Sequence, residues 1–226
     1  MITARDVRKI YRGCEVLKGV SLDIEEGENV VILGASGSGK STLLSVLSGL
    51  ERADGGSVTV NGEELAAMSD KQLTEFRRKN VGFVFQQYYL LDHLTVDGNV
   101  RLGADLVGNK DYRDVIGAVG LAEKLKNKPS ELSGGEQQRV CIARAIAKKP
   151  RVLFMDEPTG ALDEETGRAV LDYICKLRRE LGLTAVSVTH NANIAETADA
   201  VIRINSGKIV EYYRNPSPKS AYEIGW

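Results

Sequence analysis

The stretch that decides the fold is Gly34-Ala35-Ser36-Gly37-Ser38-Gly39-Lys40-Ser41-Thr42. It fits the pattern GxxxxGK[ST] and lies between Asn29-Val-Val-Ile-Leu33 and Leu43-Leu44-Ser45-Val46-Leu47. The first flank does not alternate polar with apolar side chains, so it reads as a strand buried on both faces. The second belongs to a helical pattern over 40–50. Strand, glycine-rich loop and helix in that order make a phosphate cradle. Glycines let successive backbone N–H groups turn toward phosphate oxygens. The helix N-terminus adds the positive end of its dipole. In this pattern Lys40 reaches the β- and γ-phosphates and the Ser41 hydroxyl ligates Mg²⁺. Gly34, Ser36, Gly37, Ser38, Gly39 and Thr42 complete the expected nucleotide-binding set.

Outward from the loop, further apolar runs repeat the strand pattern at 81–85, 151–155, 185–189 and 200–204. Helical patterns separate them, notably 134–148 and 164–181, which predicts an α/β fold with a mainly parallel sheet. Two hairpins add antiparallel pairing. Ser57-Val-Thr-Val60 runs into Asn61-Gly62, and Asn205-Ser-Gly207 joins 201–204 to 208–210. Ser69-Asp-Lys-Gln72 has the spacing of a capping box. The region 92–130 has few strand-like runs and reads as an inserted helical subdomain. Pro216 and Pro218 argue against any regular element beyond Asn215.

Composition narrows the function classes. The chain has 226 residues, ample for a core without disulfide or metal staples. Its 30 Lys+Arg balance 31 Asp+Glu, which argues against a dedicated nucleic-acid binder. Aromatics are only 6%, too few for base-stacking platforms. No run approaches the roughly 18 apolar residues of a spanning helix, and the start lacks the apolar run of a secretory signal. A cytoplasmic chain is expected. Cys14, Cys141 and Cys175 are widely spaced, without a CxxC pair, and read as reduced thiols. His93 and His190 lie too far from them in sequence to suggest a zinc site.

Two more segments carry chemistry. Arg151-Val-Leu-Phe-Met-Asp156-Glu157 is a buried strand ending in two carboxylates. Strand alternation would aim them in different directions, one at Mg²⁺ and one at an attacking water. The plainer reading is a pair of end-capping acids, but beside a phosphate loop an Asp for the metal is required. Leu132-Ser133-Gly134-Gly135-Glu136 pairs Ser133 with Glu136 as a second capping box. Two glycines in a first helical turn cost about 1 kcal/mol each relative to Ala. They are expected to let the backbone approach an anion, and bulk at Gly135 is expected to block that approach while sparing the phosphate loop.

With these pieces in order, the chain resembles the nucleotide-binding subunit of an ATP-binding-cassette transporter over nearly all of its length. The resemblance implies a P-loop NTPase core of the RecA-like kind, with an antiparallel β subdomain and the helical insertion. It implies one ATPase domain over 1–226. The α/β core takes 1–91 and 147–212, the helical subdomain with the signature motif takes 92–146, and 213–226 forms a tail. Tyr11 sits where an aromatic stacks on adenine. Gln86 is at the Q-loop position and joins Ser41 and Asp156 around Mg²⁺. Ala161-Leu162-Asp163 matches the D-loop, with Gly160 where Ser is commoner. Glu157 is the general base, and His190 matches the switch histidine that contacts the γ-phosphate. Ser133, Gly134 and Gly135 would meet ATP across a head-to-tail pair of cassettes, each ATP clamped between two copies of the chain.

LSGGEQQR, Gly82-Phe-Val-Phe-Gln86, Phe76-Arg-Arg-Lys-Asn80 and the terminal Ala221-Tyr-Glu-Ile-Gly-Trp226 resemble the macrolide-exporter and lipoprotein-release subfamily. That group includes antimicrobial-peptide resistance cassettes. The implied partner is a separate membrane permease that docks near Gln87–Leu94, with the cassette on the cytoplasmic face. In this reading part of Tyr88–Leu94 is solvent-exposed. Two alternatives remain: a cell-division-type cassette that regulates a cell-wall enzyme through a membrane partner, and a soluble cassette ATPase acting on ribosomes or DNA. The second usually carries two cassettes, coiled-coil insertions or basic arms, none of which is present here.

Overall fold

All five residues of β3 (Asn29–Leu33) are buried, because other elements cover the strand from both sides. The computed structural model describes residues 2–226, and among them β3 lies inside a six-stranded sheet. β8 (Thr184–Thr189) and β9 (Ala200–Asn205) flank it in parallel. β7 (Val152–Asp156) and β6 (Val81–Val84) extend the parallel array. β10 (Lys208–Arg214) closes the other edge antiparallel to β9 through the expected hairpin. Val30, Ile32, Phe154 and Val186 face one core with α1 (Lys40–Leu47). Their neighbours Val31, Leu33, Leu153 and Met155 face the opposite side. The period of two along each strand thus feeds two cores at once.

A second sheet, in the order β2-β1-β4-β5, covers the α1 side. It consists of β1 (Ile2–Tyr11), β2 (Cys14–Ile24), β4 (Gly55–Val60) and β5 (Glu63–Glu64), all antiparallel. The Asn61-Gly62 turn between β4 and β5 has φ of 51° and 83°, as a two-residue hairpin of this kind requires. β1 and β2 are absent from the strands expected above. In β1 the buried face runs Ile2, Ala4 and then Val7. A bulge at Asp6, whose φ is 47°, shifts the phase by one residue and hides the alternation.

The remaining helices are α2 (Asp70–Asn80), α3 (Val96–Asp105), α4 (Tyr112–Ala118), α5 (Gly134–Ile146) and α6 (Glu164–Leu181). α2 carries the expected Ser69–Gln72 capping box. α1 stops before the expected 50, because Gly49 turns to a φ of 70° and Leu50 N–H donates back to the Ser45 carbonyl. On the far face of the sheet, Val100, Ile116, Val140 and Ile142 share one core with Leu153, Met155 and Ile174. The helical region therefore packs directly on the strands. Residues 215–226 form no regular element, yet Ala221 and Ile224 are buried against Leu171 and Ile194.

Asn99 of α3, fully buried, staples the loop before it. Its Oδ1 accepts from Leu91 N–H at 2.8 Å, and its Nδ2 donates to the carbonyls of Leu91, Leu94 and Thr95 at 3.1, 3.3 and 3.1 Å. Asn99→Ala takes the partner from the Leu91 N–H and the Leu94 carbonyl, while the Leu91 and Thr95 carbonyls keep the N–H groups of Leu94 and Asn99, a loss of about 2–3 kcal/mol. Calorimetry is expected to show Tm lower by about 5–10 °C for a chain of this size, and an unchanged Tm would refute the staple.

Candidate active site

A cavity of about 660 Å³ opens where β3, β6, β7 and β8 end. Ser36, Gly37, Gly39, Lys40, Ser41 and Thr42 line it from the loop after β3. Gln86, Glu157 and His190 line it from the other three strand ends, and Val16 of β2 forms a further wall. Gly37 and Gly39 have φ of 75° and 102°, conformations that favour glycine. Gly34 and Ser38 are not among the lining residues. A Cβ on Gly34 would stand 2.5 Å from both the Ile204 carbonyl and Ser38 Oγ, so glycine is needed there for packing against β9. The β9–β10 turn grips the loop from behind, with Gly207 N–H donating to the Ser38 carbonyl at 3.0 Å. The buried Lys40 ammonium donates to the carbonyls of Gly34 and Ala35 at 2.7 and 3.1 Å.

Ser41 Oγ donates to Asp156 Oδ1 at 3.1 Å, across the cavity floor. Burial pushes the Asp156 carboxyl above its ordinary pKa and the Glu157 charge adds to this, while Ser41 and Lys40 act in the opposite sense. Glu157 leaves the strand with a φ of 46°, which redirects its side chain. The two carboxylates therefore diverge through this left-handed residue, and strand alternation alone does not explain it. Glu157 N–H donates to the Val188 carbonyl at 3.0 Å, which holds the turn. Its Oε1 lies 3.0 Å from His190 Nδ1. Its Oε2 is buried without a hydrogen-bond partner, an arrangement that costs stability unless a ligand or water completes it. The Glu157 side chain is 10% exposed and that of His190 67%, so the carboxylate is enclosed while the imidazole faces the open cavity. Hydroxyl, carboxylate and amide oxygens of Ser41, Asp156 and Gln86 are hard donors of the kind Mg²⁺ takes. That donor set fits such an ion.

Tyr11 stands at the end of β1 and is not among the lining residues. Its hydroxyl is hydrogen-bonded to the Glu51 carboxylate and Lys9 lies 5.3 Å from its ring centre. Burial, with Glu51 assisting, pushes the phenol up to about 12. Thr42, which lines the cavity, acts in the opposite sense on the phenol.

Ser133 caps α5 as expected. Its Oγ accepts from Glu136 N–H at 3.3 Å, and Glu136 accepts from Ser133 N–H at 2.8 Å, which lowers the Glu136 carboxyl pKa. Neither it nor the glycines line the cavity of their own chain. The two glycines differ. Gly134 is exposed, but Gly135 is buried, and a Cβ there would stand 2.0 Å from Thr166 Cγ2 of α6. The expectation that bulk at Gly135 disturbs only a ligand is thus corrected: the residue is glycine because two helices touch. Asp163 caps α6 by accepting from Thr166 N–H at 3.0 Å.

After Gln86 the chain climbs onto the helical region. Tyr88 and Leu90 pack on its core. Tyr89 is 61% and Leu91 40% exposed, as expected for part of this segment. Arg144 of α5 donates to the Tyr89 and Tyr88 carbonyls at 2.7 and 2.8 Å. Sequence reading passed over Arg144, Asn99 and Val16. The signal for Arg144 was a lone charge in the apolar run Val140-Cys-Ile-Ala-Arg-Ala-Ile146.

Residues 17–160 match the family described as ABC transporter. A putative ABC transporter ATP-binding protein of Mycoplasma pneumoniae is 50% identical over 215 residues, covering 93% of this chain and 46% of its own length. The macrolide export ATP-binding/permease protein MacB of Escherichia coli is 42% identical over 226 residues, covering 96% of this chain and 34% of its own. The chain thus spans less than half the length of either relative. A solved dimeric ATP-binding cassette, in a post-hydrolysis state bound to ADP and Pi, matches with a TM-score of 0.86 at 36% identity, covering 95% of this chain and 98% of that one. A family match over more than half of the sequence, on a fold shared with a known cassette over nearly its whole length, puts this chain in the ABC transporter family as one of its ATP-binding cassettes.

Proposed function

We propose that the chain hydrolyses ATP in the cavity behind Lys40 and uses the cycle to drive a membrane permease. The observation that carries this reading is Glu157, an enclosed carboxylate with one oxygen on His190 and the other unpartnered, beside the Ser41–Asp156 pair. Such a carboxylate is placed to take a proton from an attacking water. Lys40 meets the phosphate charge, and His190 contacts the γ-phosphate. Ser41, Asp156 and Gln86 would hold Mg²⁺, which when bound would supply charge neutralisation to the phosphates. The protein's part is positioning and electrostatics, as in phosphoryl transfer generally.

Ser133 and Gly134 act on the ATP of a second copy, since they do not line the cavity of their own chain. ATP favours the closed pair through these added contacts, and hydrolysis releases it. The exposed Tyr89 and Leu91 receive the permease, at the cytoplasmic face of the membrane. No helix among the described residues is long and apolar enough to cross a membrane. The cargo class is export, lipoprotein release, or macrolide or antimicrobial-peptide resistance, on the strength of the MacB-like sequence.

Glu157→Gln is expected to retain ATP binding and to slow hydrolysis about 10²–10⁴-fold, with a dimer trapped in ATP on gel filtration. Turnover near wild type removes Glu157 from this role. Gly134→Asp is expected to leave ATP binding by the monomer intact and to abolish ATP-driven dimerisation. By contrast, Gly135→Asp is expected to lower the melting temperature of the monomer itself through the collision with Thr166. Loss of monomer ATP binding in Gly134→Asp would sink the two-copy arrangement. Leu91→Asp is expected to change the isolated ATPase by no more than about twofold, as exposed substitutions do, and to stop co-sedimentation with membranes containing the permease. Retained co-sedimentation moves the docking surface elsewhere.

A further inference from the structure

The first turns of α6 are clasped from two sides. On one side Thr166 touches Gly135 of α5. On the other, a Cβ on Gly167 would stand 2.0 Å from Trp226 Cη2 and 2.2 Å from Cζ2, so the indole lies directly on the helix backbone. Arg168 ties the same contact down. Its Nη1 donates to the Ala221 carbonyl at 2.6 Å, its guanidinium sits 5.9 Å from the Trp226 ring centre, and it pairs with Glu164 one turn back at 2.9 Å. These turns begin at Asp163, the cap that follows Ala161-Leu162.

The same segment reaches the loop that carries His190. A Cβ on Gly225 would stand 2.9 Å from Asn193 Nδ2. Asn193 N–H donates to Asn191 Oδ1 at 3.0 Å, and Asn191 N–H donates to Thr189 Oγ1 at 3.1 Å, so the contact runs to both neighbours of His190. Lys219 N–H donates to the Glu196 carbonyl at 2.8 Å, and Asn215 Nδ2 to the same carbonyl at 3.1 Å. Ala221 and Ile224 bury the strap between α6 and this turn.

We propose that residues 215–226 form a positioning strap, in which Trp226, seated on Gly167, fixes the Asp163 loop and the His190 loop relative to each other. Trp226 is a positioning residue that touches no reacting atom. The inference rests on the ATPase reading above, because the loops it positions are those assigned there. Losing the indole leaves the phosphate loop untouched but lets His190 and Asp163 drift, and small misplacements of this kind lower turnover without weakening binding.

The test uses the full chain with Mg-ATP, at a temperature where circular dichroism shows every variant folded. Trp226→Ala is expected to keep the Kd of a fluorescent ATP analogue within about twofold and to reduce kcat about ten- to a hundredfold. Trp226→Phe is expected to recover most of the loss. Gly167→Ala displaces the ring from the other side and is expected to lower kcat similarly, and the double variant to be no slower than the slower single. In the imidazole NMR spectrum the two histidines make assignment direct, and Trp226→Ala is expected to shift His190 and leave His93 in place. A wild-type kcat in Trp226→Ala, an unmoved His190 signal, or multiplicative losses in the double variant would each overturn the strap. An inactive wild-type chain would instead refute the ATPase reading.

Discussion

The structure depends on one constraint: the parallel strands are covered on both faces, so only their ends are open to a ligand. Adjacent strands finish in step. Leu33 pairs with Thr189, Asp156 with Val188, and Val84 with Met155. The residues that follow them are thereby delivered to one rim. This is how Lys40, Gln86, Glu157 and His190, remote in sequence, line a single cavity. In open parallel sheets a ligand site is expected at this carboxyl end. The antiparallel sheet contributes Val16 to the wall and, through Lys18 N–H on the Gly207 carbonyl at 2.9 Å, supports the turn that holds the phosphate loop.

Glu157 and Tyr89, non-glycine residues near that rim, have left-handed backbones, with φ of 46° and 45°. Each costs of order 1 kcal/mol or more and persists only where neighbours enforce it. Different elements do the enforcing. The Val188 carbonyl holds Glu157 from the adjacent strand, and Arg144 holds Tyr89 from α5. The consequence is directional. Glu157 is aimed into the cavity, while Tyr89 is turned outward. A connected path runs from Gln86 in the cavity wall through the Tyr88 and Tyr89 carbonyls to the helix that Ser133 caps.

Much of this was legible in the sequence, for reasons that can be named. β3, β7 and β8 are covered on both sides, so they read as unbroken apolar runs. α6 matched residue for residue, because Asp163 caps one end and Gly182, at a φ of 64°, ends the other. The cavity-lining residues were legible because a phosphate loop and strand-end carboxylates are local patterns. β1 was hidden by its bulge at Asp6. Asn99 and Arg144 were hidden because they bond backbone groups that are distant or within a loop, and backbone groups have no sequence signature. The role of Gly34 was misplaced for a similar reason: its nearest obstacle is the Ile204 carbonyl, on a strand far along the chain.

The paired glycines of α5 show what sequence reading merges and structure separates. Consecutive residues of a helix point about 100° apart, so Gly134 and Gly135 cannot serve the same surface. Gly134 faces outward, and Gly135 lets α5 close on Thr166. The next residue of α6, Gly167, faces the other way and admits Trp226. Each helix start thus spends one glycine on intimate packing within the chain. Contacts this close leave no void to absorb a displacement, since packed interiors transmit strain. In the strap proposed above, a shift at the Ser133 end of α5 reaches α6 and its Asp163 cap, and through Trp226 and Gly225 the turn after His190. Of the two glycines that looked like concessions to a ligand, one is what lets the starts of α5 and α6 meet.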